Sequence, residues 1–373
     1  MVSGVSVVSE LSLLVAVAIA LAVCSNADAI GKRLGVVAYP DQQRKRHARP
    51  TSQVGGIAIL LGLVVWLVSL LYYDQSADRP LLLAILLCAG GLGVVGFEDD
   101  QHETSPISRI LLLLVFMNAA FAIEPQFIAR TLNWGSFDPT SIPLWAYLLV
   151  MSVTVVGVVN AVNMADGQNG VVGSMYVVWS GCLALVTSGT SEAIACVLFV
   201  LSAVFLVFNL RGKLFLGDCG SYGVTFALGL LVILAHARGE VSLETIIVWF
   251  FIPVADCLRL LVSRPLRALS PFVGDRDHFH HRLEDKLGKP QGIATYAGAV
   301  AVSSLVATLD PRFALVCLCV LSAFYFSFAW LTDASIVAVS QPESGEDNAA
   351  AATSNIVTMS GEGKGERRRH GTV

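Results

Sequence analysis

Charge is scarce in this sequence. Only 14% of its 373 residues are Asp, Glu, Lys or Arg, against 55% hydrophobic, and mean hydropathy is +0.70. Soluble domains carry about 25% charged residues, so the shortage excludes an ordinary soluble domain and reads as an integral membrane protein. A basic excess is missing too. The 24 Lys and Arg against 28 Asp and Glu leave a net charge of -4, and nothing points to a nucleic-acid partner. The eight cysteines form no C-x-x-C pair, so neither a zinc site nor a disulfide framework is indicated. Seven lie in apolar runs and read as small buried hydrophobes. Cys219 alone stands in a polar loop and reads as a thiol facing a reducing compartment. No internal repeat is visible.

Long hydrophobic runs dominate instead. A membrane-spanning helix needs about 20 mostly apolar residues. Eleven such segments are expected, at roughly 5–24, 54–73, 80–97, 109–123, 142–162, 170–187, 192–209, 221–237, 244–262, 292–309 and 313–332, the fourth being short. The fold class is therefore all-α and polytopic. The first segment lacks a basic n-region and a clear small-residue cleavage site, so it is expected to stay as a helix. Lys32, Arg33, Arg44, Lys45, Arg46 and Arg49 fall in 25–53, and Arg264, Arg267, Arg276, Arg282, Lys286 and Lys289 fall in 263–290. The loops on the other side hold only Arg79, Arg130, Arg238 and Arg312. The positive-inside rule makes the basic loops cytoplasmic. Eleven crossings then put the N-terminus outside and the C-terminus inside. Residues 1–334 are expected to form the membrane domain. Residues 335–373, rich in Ser, Glu, Gly and Ala and ending near Arg367-Arg368-Arg369, are expected to be a disordered cytoplasmic tail.

Five polar clusters interrupt the apolar chain, all on the face assigned to the cytoplasm. The first is His47-Ala48-Arg49-Pro50-Thr51 with Gly55-Gly56, where the glycine pair allows close backbone approach. In the second, Asp99 and Asp100 end the third span; neighbours on a helix point apart, so the two carboxylates should have different jobs. The third, Asn160 to Gly170, puts Asn163 and Asp166 three apart and carries Asn169 between two glycines. The fourth, Phe215 to Ser221, sets Asp218 among glycines before the eighth span. Taken singly, an acid there could be a helix cap. The fifth, Asp275 to Arg282, holds Arg276, His278, His280 and His281. If that segment is helical, His278 and His281 share a face and His280 points away. Without cysteines or standard ligand spacing, zinc is disfavoured; imidazolium and guanidinium donors suit phosphate oxygens better. Ionisable groups beside hydrocarbon are costly, so their convergence marks a functional site.

Together, in order from about residue 30 to 290, these motifs resemble the polyprenyl-phosphate N-acetylhexosamine-1-phosphate transferases. That family also includes the phospho-N-acetylmuramoyl-pentapeptide transferase of peptidoglycan synthesis. The segment Asp-Arg-x-His-x-His-His-Arg-Leu, Asp275 to Leu283, is similar to the branch using UDP-N-acetylglucosamine or related UDP-sugars; the pentapeptide branch carries a different histidine triplet. The resemblance implies transfer of sugar-1-phosphate from a UDP-sugar to undecaprenyl phosphate, starting a cell-surface polysaccharide such as an O-antigen, enterobacterial-type or teichoic-acid-like polymer. It implies catalytic roles for Asp99 and Asp100, and Mg²⁺, or Mn²⁺, on Asp218 and Asn163. Asp166, Asn169, Phe215, Arg49 and the Arg276, His278, His280 and His281 set would contact substrates. Asn169 stands where the family has a second Asp, so a donor-plus-acceptor amide replaces a carboxylate. The expected partners are both substrates and the lipid bilayer of a bacterial inner membrane, with a homodimer as a further candidate.

Two rival classes bear on the same residues. A transporter of an anionic solute would place its binding groups near the midplane, but here the charges fall in loops at one face, and only Arg259, and less clearly Asp256 and His236, lie near a span. A non-catalytic scaffold has no need of three acidic loops on one face. Phosphoryl transfer between two anions, catalysed by positioning and charge neutralisation, accounts for them.

Overall fold

The computed structural model describes residues 4–40, 49–102, 104–128, 142–268, 270 and 276–331. His47, Ala48, Asp275 and the expected tail from 335 onwards lie outside the described residues.

All eleven apolar segments are helical. The chain opens with α1 (Gly4–Ser25) and α2 (Ala27–Leu34), bent by 78° where they meet. The short strands β1 (Val37–Ala38) and β2 (Thr51–Ser52) pair antiparallel. There follow α3 (Gly55–Tyr73) and a span made of α4 (Arg79–Ala84), a π turn over Ile85–Ala89 and α5 (Gly90–His102). Next come α6 (Pro106–Ile123), α7 (Leu144–Ala165), α8 (Val171–Val186), α9 (Gly189–Leu210), α10 (Gly217–Ala237) and α11 (Leu243–Leu266). A short α12 (Phe279–Leu287) precedes α13 (Lys289–Leu309) and α14 (Ala314–Leu331).

Nine of the described helices are long and apolar enough to cross a bilayer, or ten counting the bent first pair. The short one is α8, with 16 residues, rather than the segment that becomes α6. The sequence pattern does not announce α2 and α12. Both are brief amphipathic helices with basic last turns, carrying Lys32 and Arg33 in one and Lys286 in the other.

The core is built on α10, buried along almost its whole length, whereas few residues of α6 and α14 are buried. In a bilayer, helices gain little from hiding apolar surface from one another, so association depends on close packing of small residues. α10 meets that need at Gly220 and Gly223, which pack against Gly56 of α3 and Gly93 of α5. A Cβ added at Gly56 would lie 2.0 Å from the Gly220 nitrogen, and one at Gly96 would lie 2.2 Å from the Asp218 carbonyl oxygen. Away from these glycines, Trp179 donates from its indole to the Trp249 carbonyl at 3.0 Å, and Trp249 to Thr308 Oγ1 at 3.1 Å. At the opposite end of α10, Arg238 joins Asp78, Gln126 and Ser191.

Because the atoms that a side chain at Gly96 would meet are backbone, no rotamer change can accommodate it. Gly96→Ala should destabilise the detergent-solubilised protein by about 1–3 kcal/mol and lower activity with it. Gly90→Ala, where a Cβ would meet nothing within 4 Å, is the control. Equal thermal unfolding of the two variants would refute the close-packing account.

Candidate active site

The α10 N-terminus is held by backbone pairing. Ser52 of β2 forms a parallel bridge to Leu214, and Phe215 donates from its amide to the Ser52 carbonyl at 2.8 Å. The Gly55 and Gly56 amides donate to the Phe215 and Leu216 carbonyls at 2.9 and 2.7 Å. The glycine pair of the first cluster is thus a backbone clamp on the fourth. Gly217 has φ +76°, and a Cβ on it would lie 2.7 Å from Asp100 Oδ2.

Asp100 uses that space. Its Oδ1 accepts from the Asp218 amide at 2.9 Å and from Gln53 Nε2 at 2.9 Å, and its Oδ2 accepts from the Cys219 amide at 3.1 Å. A carboxylate from α5 therefore caps α10, where orphan amides and the helix dipole favour negative charge. Asp99, buried, points the other way. Its Oδ1 accepts from the Thr104 amide at 2.6 Å and hydroxyl at 2.8 Å, and its Oδ2 from Tyr222 at 2.9 Å and Arg109 at 3.0 Å. Arg109 also donates to the Tyr222 hydroxyl at 3.1 Å. The expectation of separate jobs is consistent with this geometry. Both carboxylates are anchored, and most of their partners come from elements far along the chain.

Asn163 Nδ2 donates to Asp218 Oδ1 at 2.6 Å and to Ser221 Oγ at 2.8 Å. Asp166 follows the last turn of α7. Burial, then the charges of Asp218 and Asp100, push its carboxyl well above the ordinary range, while the Gly217 amide pulls it back. Four carboxylates, Asp99, Asp100, Asp166 and Asp218, thus crowd one helix end with Arg109 as their guanidinium neighbour. Among the described residues no group of three or more His, Cys, Asp or Glu forms a ready-made cage for an ion. The surplus negative charge nonetheless fits a hard cation such as Mg²⁺, which typically takes one or two carboxylates plus substrate phosphate oxygens. Asn169 is not isolated: its Oδ1 accepts from Asn209 Nδ2 at 3.3 Å, and Asn209 Oδ1 accepts the Gly170 amide at 2.6 Å.

The histidines depart from expectation. α12 begins after His278, which is its N-cap. His278 therefore turns back to α11, and His280 and His281 converge on the third cluster instead of pointing apart. A Cβ on Gly167 would lie 2.7 Å from His280 Nε2 and 3.1 Å from His281 Nε2. Both rings are buried. Burial, then the His281 and His278 rings, depress His280 well below its usual range; burial and the Arg276 charge lower His281 to about 4. Burial thus favours the neutral imidazole for both rings, against the expectation of imidazolium donors. Arg276 ion-pairs with Glu284 and Asp285, each at 3.4 Å. Phe215 is half-buried beside the clamp, and Arg49 lies exposed at the edge of the described chain.

The profile of glycosyl transferase family 4 matches residues 82–236. The chain is 30% identical over 267 residues to the undecaprenyl-phosphate alpha-N-acetylglucosaminyl 1-phosphate transferase of Salmonella typhi, covering 67% of this chain and 69% of that protein. A protein of the same name from Yersinia pestis is 27% identical over 263 residues, 67% of this chain and 70% of the relative. A probable undecaprenyl-phosphate N-acetylglucosaminyl 1-phosphate transferase of Bacillus subtilis is 26% identical over 264 residues, 68% and 71% of the two chains. The chain belongs to glycosyl transferase family 4. The family match contains the four carboxylates, Asn163, Asn169 and Phe215, and ends before the histidine segment; Arg49 precedes it.

Several residues of the site escape a sequence reading. Arg109 and Tyr222 sit inside apolar helices, Gln53 and Asn209 in short polar breaks, and each acts on a partner distant in sequence. Only Arg109, a lone cation at the start of an apolar run, carries a visible signal.

Asp99→Asn leaves Arg109 facing an amide and should destabilise the protein by roughly 1–3 kcal/mol, in addition to lowering activity; an unchanged melting temperature in detergent would rule out the anchoring role. His281 titrates at about 4 in the folded chain against an ordinary 6.5, so the unfolded chain binds the proton first as pH falls. Stability is therefore flat above about 6.5 and declines from there towards 4, with His280 adding the same sign. His281→Gln should shrink that decline between pH 7.5 and 5, about the window in which the unfolded imidazole takes up its proton. An undiminished decline would exclude His281 as its source.

Proposed function

We propose that this membrane protein transfers N-acetylglucosamine-1-phosphate from UDP-N-acetylglucosamine to undecaprenyl phosphate, releasing UMP and opening the synthesis of a cell-surface polysaccharide. Family membership and the names of its relatives support the reaction class. The observation that carries the site is the meeting of four carboxylates at the α10 N-terminus, beside the Gly167 turn and the buried histidines. The distribution of Lys and Arg supports an N-terminus outside and this site on the cytoplasmic face of a bacterial inner membrane, where a soluble nucleotide and a bilayer-held lipid can meet.

In this reading Asp218 would hold Mg²⁺, with Asn163 as a second ligand once its amide turns to present Oδ1. When bound, the ion would neutralise charge on the donor pyrophosphate. Asp100 fixes the α10 N-terminus against α5 and keeps its own carboxylate at the point where an acceptor phosphate would arrive. Asp99, whose oxygens accept from Thr104, Tyr222 and Arg109, orients that end of α5. Asp166, with its raised pKa, is the carboxyl suited to hold a proton or accept a polar group of the nucleotide. His280 and His281, buried beside Gly167 and Arg276, would offer directional hydrogen bonds to the donor, and Asn169, Phe215 and Arg49 would add further substrate contacts. Transfer between two anions is catalysed by such positioning and by charge neutralisation.

The purified full-length protein should release UMP from UDP-N-acetylglucosamine only when undecaprenyl phosphate is present. EDTA should abolish release, and Mg²⁺ or Mn²⁺ should restore it. Asp218→Asn should raise the Mg²⁺ concentration needed. An EDTA-insensitive reaction would overturn the metal role, and a requirement for UDP-N-acetylmuramoyl-pentapeptide would move the protein to the other branch.

A further inference from the structure

Asp256 lies in the apolar run of α11, yet it is buried and gathers donors from three elements. Its Oδ2 accepts from His278 Nδ1 at 3.0 Å and from the Phe279 amide at 3.1 Å. Its Oδ1 accepts from Arg259 Nη2 at 2.9 Å and Nε at 3.3 Å, and from the Tyr325 hydroxyl of α14 at 3.0 Å. A carboxylate inside a helix bundle is expensive unless paired and hydrogen-bonded, and this one is paired to the segment that carries the histidines. Around it, Arg259 also reaches Asp277, and Arg282 joins Asp277 to the Ala329 carbonyl of α14.

The consequence reaches the donor side of the site through stacked rings. An acceptor at Nδ1 requires that nitrogen of His278 to carry the proton, which sets its tautomer. His278 Nε2 is then left as the acceptor facing Arg264 Nη2 at 3.5 Å. The His278 ring stacks on His280 with centroids 5.5 Å apart and planes 15° from parallel, and His280 lies 4.2 Å from His281. His280 Nε2 and His281 Nδ1 are buried without a hydrogen-bond partner among the described residues, the nearest carboxylate to His281 Nδ1 being Glu284 at 3.6 Å. His280 Nε2 is aimed at Gly167.

We propose that Asp256 is a positioning residue for donor binding: by holding His278 Nδ1 and the first amide of α12, it fixes the ring stack that presents His280 to the Gly167 turn. The proposal rests on the transferase reading above. Asp256 touches no reacting atom and acts through His278. It differs in kind from Asp99 and Asp100, which anchor the α10 end of the site.

The test uses the full-length enzyme in detergent with UDP-N-acetylglucosamine and undecaprenyl phosphate, reading UMP. In Asp256→Asn an amide N–H can face His278 Nδ1 and reverse its tautomer. The KM for the UDP-sugar should rise roughly tenfold or more, the scale of one unsatisfied buried donor, with the KM for lipid phosphate within about twofold. Tyr325→Phe removes one donor but keeps the carboxylate on His278, so its donor KM should move by less than about threefold. In a His278→Gln background, Asp256→Asn should add little, because the two act in series. A fall in the amount of active enzyme with both KM values unchanged, or additive effects of the two substitutions, would overturn the proposal and leave Asp256 a fold residue. If Asp256→Asn does not fold, long-range ¹H–¹⁵N correlation on histidine-labelled wild-type protein, at a pH of about 8 where a free imidazole is neutral, decides. A proton on His278 Nδ1 is expected, and one only on Nε2 overturns it. An inactive wild type would instead refute the transferase reading, and the NMR result would still judge the contact.

Discussion

The site depends on how closely three helices approach at the α10 N-terminus. Gly56, Gly96 and Gly220 leave so little room that a methyl group at either of the first two would overlap neighbouring backbone. That proximity lets a carboxylate from α5 reach amides of α10 and lets β2 extend alongside Leu214. A longer separation would break both at once, because a hydrogen bond is lost within a few tenths of an ångström beyond its normal length. Lipid supplies no hydrophobic pressure between helices, so glycine contacts and hydrogen bonds must set the distance.

Charge then follows from packing. A helix N-terminus stabilises nearby anions, and Asp100 takes that position. Asp166 and Asp218 share the neighbourhood, and the Asp166 carboxyl is driven upward by burial and by the charges of Asp218 and Asp100. An opposite arrangement holds around Asp256, where Arg259, His278, Tyr325 and the Phe279 amide converge on one carboxylate. One cluster is satisfied by the protein, and the other would leave negative charge for the cation of the proposed reaction to meet.

Hydropathy alone made the eleven helices legible, since about twenty apolar residues in a row have few alternatives. It misjudged which was short: the polar residues before the segment giving α6 hid its first turn, whereas Ser105 and Pro106 start that helix earlier. The polar clusters were legible as a convergent set because each interrupts an apolar run. Their internal geometry was not. The helical spacing rule misplaced His280 because α12 starts one residue later than that rule assumes, with His278 outside it. The charge state of His280 and His281 depends on burial, which a single sequence does not display. Asp256 and Arg259 stood out in the sequence only as charges near a span, and only the fold brings Asp277, His278 and Tyr325 to them.

Saturated and orphaned polar groups divide the labour within the site. Asp99, Asp100 and Asp256 have their oxygens engaged, so they hold elements in place. Gln168, by contrast, is buried with both amide atoms unpartnered among the described residues, as are His280 Nε2 and His281 Nδ1. An unsatisfied buried polar group costs about 1–3 kcal/mol, so a fold that retains such groups near Gly167 gives up stability there. A ligand rich in hydroxyl, amide and phosphate groups would recover it on binding, and a donor nucleotide-sugar is such a ligand. In the proposed reaction these atoms would therefore be the ones that discriminate between donors. The well-satisfied carboxylates keep the geometry fixed while they do so.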